Sequence, residues 1–274
     1  MELVPGNPRV VGVLNLTPDS FFEKSRIISD PSHVVDAAGV LFRDGADIIE
    51  LGGESTGPGS QDVPADEELR RVLSAVTAVR QAYPDAWIFI DTWKSSVARA
   101  CLDAGADAIN DVTAGRGDPF MMKTVAAYNA GYVIMHSKDS TPRTTVHDTS
   151  YDTVVKTVKN FLRDRTEIAV RSGITLSSII VDPGLGHFIS ADPGYSYELL
   201  AHAYTFSGIA PVLFSPSRKS FLAGPSALPP SDRLWPTVAA SCLATVSGAS
   251  FIRTHDVGTV KSALSHIRGL PITA

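Results

Sequence analysis

Cysteine is nearly absent from this chain of 274 residues; there are two, Cys101 and Cys242. Both lie in stretches with helical apolar spacing, ARACLDAGA and VAASCLATV, and read as small core residues. An excess of positive charge is missing too. Lys and Arg number 24 against 29 Asp and Glu, a net charge of −5, which argues against a nucleic-acid surface. An anionic small ligand is still allowed, because a few local cations suffice to hold one. No run of about 18 apolar residues is present to span a membrane. MELVPGNPRVVGVLNL at the N-terminus lacks a basic region followed by an apolar core and a cleavage site, so no signal peptide and a cytoplasmic location are expected. Several chemical signatures are also lacking: GxSxG, HExxH, CxxC and a Walker loop. The NLT at Asn15 matches a glycosylation acceptor only formally, since it sits at a predicted buried strand end and is followed by Pro18.

What the chain does have is a repeated alternation. Short apolar, β-rich runs occur at 9–16, 46–52, 86–91, 106–111, 131–137, 177–183, 210–215 and 250–255. Helical spacing fills 31–46, 65–83, 94–106, 151–173 and 233–249. Several helices end in Gly-Ala before the next strand (GADIIE, GADAIN, GASFIR), as a C-cap followed by a tight turn should. Strands that are apolar throughout suit a parallel sheet covered by helices. About eight such units predict a single α/β domain over 1–274, a (β/α)8 TIM barrel, with a doubly wound open sheet as the alternative. The segment 138–152 reads as a long, polar, mobile loop without an assigned role.

In such a barrel the chemistry gathers where strands end. Those positions hold Asn15 with Thr17 and Asp19, then Glu50, Glu54, Ser55 and Thr56, then Asp91 with Lys94, and Asn110 with Asp111. His136, Asp182, Ser217, Arg218, Lys219, Arg253, His255 and Asp256 complete the set. Asp182 poses the sharpest question, because a buried apolar strand that stops at a carboxylate is costly unless that group is paired. It either caps a turn or accepts hydrogen bonds from a ligand. Asp91, Asn110 and Asp182 are acceptors suited to a flat heterocycle with several N–H groups. Lys219, Arg253 and His255, with Asn15 nearby, suit phosphates or a leaving pyrophosphate. SPSRKSF adds backbone N–H groups at a predicted helix start.

Eight motifs in order resemble the dihydropteroate synthase family: GVLNLTPDSF (12–21), GGESTGPG (52–59), IDTWK (90–94), INDVTAG (109–115), VIMHS (133–137), VDPGLG (181–186), SRKSF (217–221) and IRTHDV (252–257). The resemblance implies a (β/α)8 barrel, usually a homodimer. It implies a transferase of folate biosynthesis that joins 4-aminobenzoate to 6-hydroxymethyl-7,8-dihydropterin pyrophosphate and releases pyrophosphate. By resemblance, Asp91, Asn110, Val112, Met135, Asp182, Lys219 and Arg253 surround the pterin. Asn15, Thr56, Arg253 and His255 hold the pyrophosphate, with Asn15 also a ligand of Mg²⁺. Thr56, Pro58, Ser217 and either His187 or Phe188 form the aminobenzoate site. Lys219, Asp91 and Arg253 carry the catalysis.

Three positions depart from the family pattern. Gly57 stands where the second loop usually has arginine, His187-Phe188-Ile189 replaces Phe-Gly-Lys after DPGLG, and Ser215-Pro216 replaces Gly-x before SRKS. Ser215-Pro216 puts a side chain where the pterin edge would approach. DPGLGHFIS, MHS and the missing loop-2 arginine border the aminobenzoate site and look similar to mobile sulfonamide-insensitive synthases, so weakened binding of sulfonamide competitors is expected. Two rival readings are a pterin-binding paralogue without turnover and a methyltetrahydrofolate-dependent methyltransferase. The second leaves TPDSF and SRKSF unexplained. His136 reads equally as a structural strand-end residue, and His33, His202 and His266 as solvated or packing residues of helices.

Overall fold

The computed structural model describes residues 6–17 and 31–268; Asp19 and the end of the first motif lie outside them. Eight parallel strands alternate with helices. In order they are β1 (Arg9–Asn15), α1 (Pro31–Arg43), β2 (Ile48–Gly52), α2 (Ala65–Ala82), β3 (Trp87–Asp91), α3 (Ser95–Asp103), β4 (Ala108–Asp111), α4 (Met121–Ala127), β5 (Gly131–Met135), α5 (Val154–Arg171) and β6 (Ile179–Asp182). The chain continues through α6 (Pro193–Ala201), α7 (Tyr204–Ser207), β7 (Leu213–Phe214), α8 (Leu234–Val246), β8 (Phe251–Thr254) and α9 (Val257–His266). The expected (β/α)8 barrel is therefore observed, and the open doubly wound sheet is not. Closure is weakest between β6 and β7, where a bridge pairs Val181 with Val212 and the Val181 amide donates to Pro211 O (3.0 Å). Pro211 has no N–H to return, which keeps β7 short.

Side chains alternate across each strand. The outward set packs under the helices in one large apolar cluster, including Ile49, Ile90, Ile109 and Ile134. The inward set begins with a plug of one residue per strand: Val11, Ile48, Phe89, Ala108, Val133, Ile180, Leu213 and Phe251. Two residues further along each strand, the same inward face carries Val13, Glu50, Asp91, Asn110, Met135, Asp182, Ser215 and Arg253. Apolar residues fill the lower barrel, and polar residues follow one layer above. Among the described residues no helix is long and apolar enough to cross a membrane.

Candidate active site

Strand register decides which strand-end groups meet. Asn15 pairs with Gly52, Gly52 with Asp91 and Asp91 with Asn110, so these four lie in one row across β1 to β4. At Gly52 a Cβ would make ordinary contact with the Asp91 Cβ, at 3.4 Å. Met135 pairs with Asp182 on the far side. Asp111 points outward instead. Its carboxylate accepts from the Thr113 and Gly115 amides and from the Tyr132 hydroxyl, so it organises a turn.

Glu50, to which no role was attached above, holds this layer together. It is fully buried. One oxygen accepts from Arg253 Nε (2.5 Å) and the other from Asn110 Nδ2 (3.0 Å). Arg253 also donates to Asp91 (2.9 Å) and to Ser215 Oγ (3.4 Å). Ser215, one of the departures, thus supports the arginine. Burial works against the Arg253 charge, but Glu50 and Asp91 outweigh it and hold the guanidinium more firmly protonated than usual. Burial, opposed by Arg253 and reinforced by Glu50, pushes Asp91 up to about 7.

Asp182 is 2% exposed and caps a turn, the first of the two possibilities posed above. Its Oδ1 accepts the Gly184 amide (2.8 Å), closing a turn that needs glycine: φ is +77° at Gly184, and a Cβ would lie 2.4 Å from His136 O. Burial raises its pKa against the pull of Lys219. Lys219 is in turn lowered to about 8, chiefly by burial, with Asp182 opposing. Its ammonium sits 5.1 Å from the Phe188 ring centroid. Of the two aromatic candidates, Phe188 is therefore the one under the lysine. The His187 Nδ1 is buried with no hydrogen-bond partner, and burial lowers that ring's pKa.

His255 is held in its neutral form. Burial and then Arg253 bring its pKa down to about 4, so it is neutral near pH 7. Asn15 Nδ2 lies 3.1 Å from Nε2, which must then accept, and Nδ1–H donates to Ser217 Oγ (3.0 Å). Arg218 is clamped by both oxygens of Asp256 (2.9 and 2.7 Å), so it serves the turn that presents Ser217 and Lys219.

Asn15, Thr56, Pro58, Asp91, His187, Phe188, Ser217, Lys219, Arg253 and His255 all line one cleft of about 480 Å³ at the C-terminal face. Asn110, Val112, Met135 and Asp182 do not line it; they are buried at the strand ends. His136, buried against Phe161 with its pKa lowered to about 3 by burial, is structural. His202 and His266 bond to carbonyls of their own helices. Lys219 yields a pH prediction. The ammonium loses its proton as pH rises through about 8, so kcat/KM should fall about tenfold per pH unit above it. In Lys219→Arg, whose guanidinium does not titrate there, that alkaline limb should vanish.

The family described as "Pterin binding enzyme" matches residues 11–255. The chain belongs to the dihydropteroate synthase family. It is 35% identical over 250 residues to the dihydropteroate synthase of Synechocystis, covering 90% of this chain and 85% of that protein. It is 39% identical over 251 residues to a probable bifunctional folylpolyglutamate synthase/dihydropteroate synthase of Haloferax volcanii. The match takes in 90% of this chain but spans only 29% of that longer relative. A Mycobacterium tuberculosis relative, 34% identical over 266 residues and covering 95% of this chain and 82% of its own length, is named inactive dihydropteroate synthase 2. Among solved structures, a Xanthomonas albilineans dihydropteroate synthase with 4-aminobenzoic acid superposes with TM-score 0.86 at 34% identity, covering 97% of this chain and 94% of that one.

Proposed function

We propose that this chain is a transferase that joins 4-aminobenzoate to 6-hydroxymethyl-7,8-dihydropterin pyrophosphate, forming 7,8-dihydropteroate and pyrophosphate. The observation that carries the reading is the inward polar layer. In it Asp91 lines the cleft with Lys219, Arg253 and His255, while Asn110 and Asp182 are acceptors buried at the neighbouring strand ends. Asp182, Asn110 and Asp91 accept from the pterin ring edge, with Val112 and Met135 packing around it. Arg253 and Lys219 offset the charge of the departing pyrophosphate, while neutral His255 and Asn15 hold it by hydrogen bonds. The C–O bond breaks first, the cation spreads into the pterin, and the aniline nitrogen then forms the C–N bond and releases a proton. Ser217 Oγ accepts from His255, so it retains its own proton for the aminobenzoate carboxylate. Thr56, Pro58 and Phe188 wall that end, and Thr56 also reaches the pyrophosphate.

Magnesium fits as an ion carried by the pyrophosphate. Among the described residues no three His, Cys, Asp or Glu groups gather to hold a metal. Asn15 has its Nδ2 committed to His255, which leaves one hard amide oxygen of the kind Mg²⁺ accepts beside phosphate oxygens and water. Bound there, the ion neutralises charge on the leaving group. We also place the chain in the cytoplasm as one domain over 1–274, and as a homodimer. Support for the dimer is the outer face of α8, where Trp235 is 71% exposed.

The test is pyrophosphate release from dihydropterin pyrophosphate with Mg²⁺, with and without 4-aminobenzoate. Release coupled to dihydropteroate is expected. Binding without either product would favour the non-catalytic paralogue, the reading suggested by the inactive relative and by Gly57. In the same assay the inhibition constant of sulfamethoxazole is expected to lie at least about tenfold above that of a family member with the usual loops, about 1.4 kcal/mol of lost binding. An ordinary constant removes the sulfonamide reading.

A further inference from the structure

The segment 138–152 is not the loose loop that its composition suggests. Arg143 reaches into the loop after β2. Its Nη1 pairs with Asp62 and its Nη2 with Glu54. Nε donates to Ser60 O (3.1 Å) and Nη2 to Gln61 O (2.6 Å). The next residue joins a second wall. The Thr144 amide donates to Thr56 O (3.2 Å) and its Oγ1 to His187 O (2.7 Å). The Lys138 amide donates to Phe188 O (2.8 Å). Thr56, His187 and Phe188 are the cleft residues for which aminobenzoate was proposed, and this one segment ties down all three.

Glu54 is the anchor beneath. It is 3% exposed in its side chain and also pairs with Lys94, whose other partner is the fully buried Glu68 (2.5 Å). Trp93 Nε1 (2.9 Å) and the Val63 amide (3.1 Å) complete its shell. Gly57 gives the β2 loop no cation of its own there; Arg71 of α2 holds its start at Gly53 O (2.8 Å), and the guanidinium holding 54–62 comes from the loop after β5.

We propose that Arg143 is a positioning residue that sets the β2 loop against the β6 loop and so tunes affinity for the second substrate without touching it. The inference rests on the assignment of aminobenzoate to this cleft. Arg143 itself does not line the cleft, and the pterin layer is built from other residues. Its removal should therefore affect the two substrates unequally.

The experiment compares Arg143→Ala and Arg143→Lys with the unmodified chain by steady-state kinetics in both substrates, with melting temperatures. Arg143→Ala is expected to raise KM for aminobenzoate about tenfold, as for loss of charge-assisted hydrogen bonds. Its kcat and its calorimetric Kd for the dihydropterin without pyrophosphate, a ligand that does not reach Thr56, should stay within about twofold. Arg143→Lys should fall between, because one ammonium replaces only part of a planar set of donors. An unchanged KM in folded Arg143→Ala overturns the proposal, as does an equal change in kcat and pterin affinity. Should Arg143→Ala not fold, Arg143→Lys and Asp62→Asn, a change at an exposed partner, are read by the same criteria. If the unmodified chain shows no turnover, the functional reading fails by itself. Calorimetric Kd for aminobenzoate in the presence of pyrophosphate and Mg²⁺ then decides on Arg143.

Discussion

Asp182→Asn is expected to weaken dihydropterin pyrophosphate binding by at least about a hundredfold while leaving the fold intact. The choice of asparagine separates the two jobs of this side chain. An asparagine Oδ1 still accepts the Gly184 amide, though more weakly than a carboxylate, so the turn survives. What disappears is the charge and the second acceptor oxygen, which the proposed function assigns to the pterin's guanidine-like edge. A charge-assisted pair of hydrogen bonds contributes about 1.5–3 kcal/mol each, and a donor left unpaired on the ligand adds to the loss. Calorimetric titration of the pterin substrate measures the effect. If affinity changes less than about threefold, Asp182 is only a turn residue and the pterin assignment is wrong. A second signature accompanies it. Asp182 opposes the burial that lowers Lys219, so its neutralisation should move the alkaline limb of kcat/KM from about 8 to lower pH.

Glu50→Ala should have the larger combined effect on stability and rate. The carboxylate is fully buried and satisfies Arg253 on one side and Asn110 on the other. Removing one partner of a buried ion pair costs about 3–5 kcal/mol, because the remaining charge loses its counterpart without regaining water. Arg253 would keep Asp91 alone and would be drawn toward it, disturbing the acceptor row at its centre. A fall of about a hundredfold to a thousandfold in kcat/KM is expected, with a lowered melting temperature. Glu50→Gln keeps the shape and one acceptor and should recover part of the stability but little of the rate. Wild-type kinetics in either variant would show that Arg253 is positioned by other means.

Glu50 also marks how far the sequence could be read. It interrupts an apolar strand, ADIIELG, two residues after Ile48, at a spacing that directs both to the same face. The strand-end position was legible. Its partners were not, since Arg253 is 203 residues away in the chain and meets Glu50 only when β8 closes beside β1. His255 behaved similarly. Its residue type left its charge open, and burial and the Arg253 charge, both products of folding, make it neutral. Asp111 follows Asn110 directly and so faces the opposite side of β4, where its carboxylate forms a turn; which face is inward is set only when the barrel closes.

By itself the sequence determined the alternation of strands and helices, the parallel barrel and the polar residue at almost every strand end. These are local properties: apolar runs, caps, glycine turns and motifs a few residues long. Tertiary structure alone decided three things. It brought Glu50 under Arg253, it divided the strand-end groups between a row above the apolar plug and a set that only builds turns, and it laid 138–152 across two other loops. The physical reason is common to all three. Each rests on contacts between segments tens to hundreds of residues apart, whose geometry, burial and charge exist only after the barrel has closed.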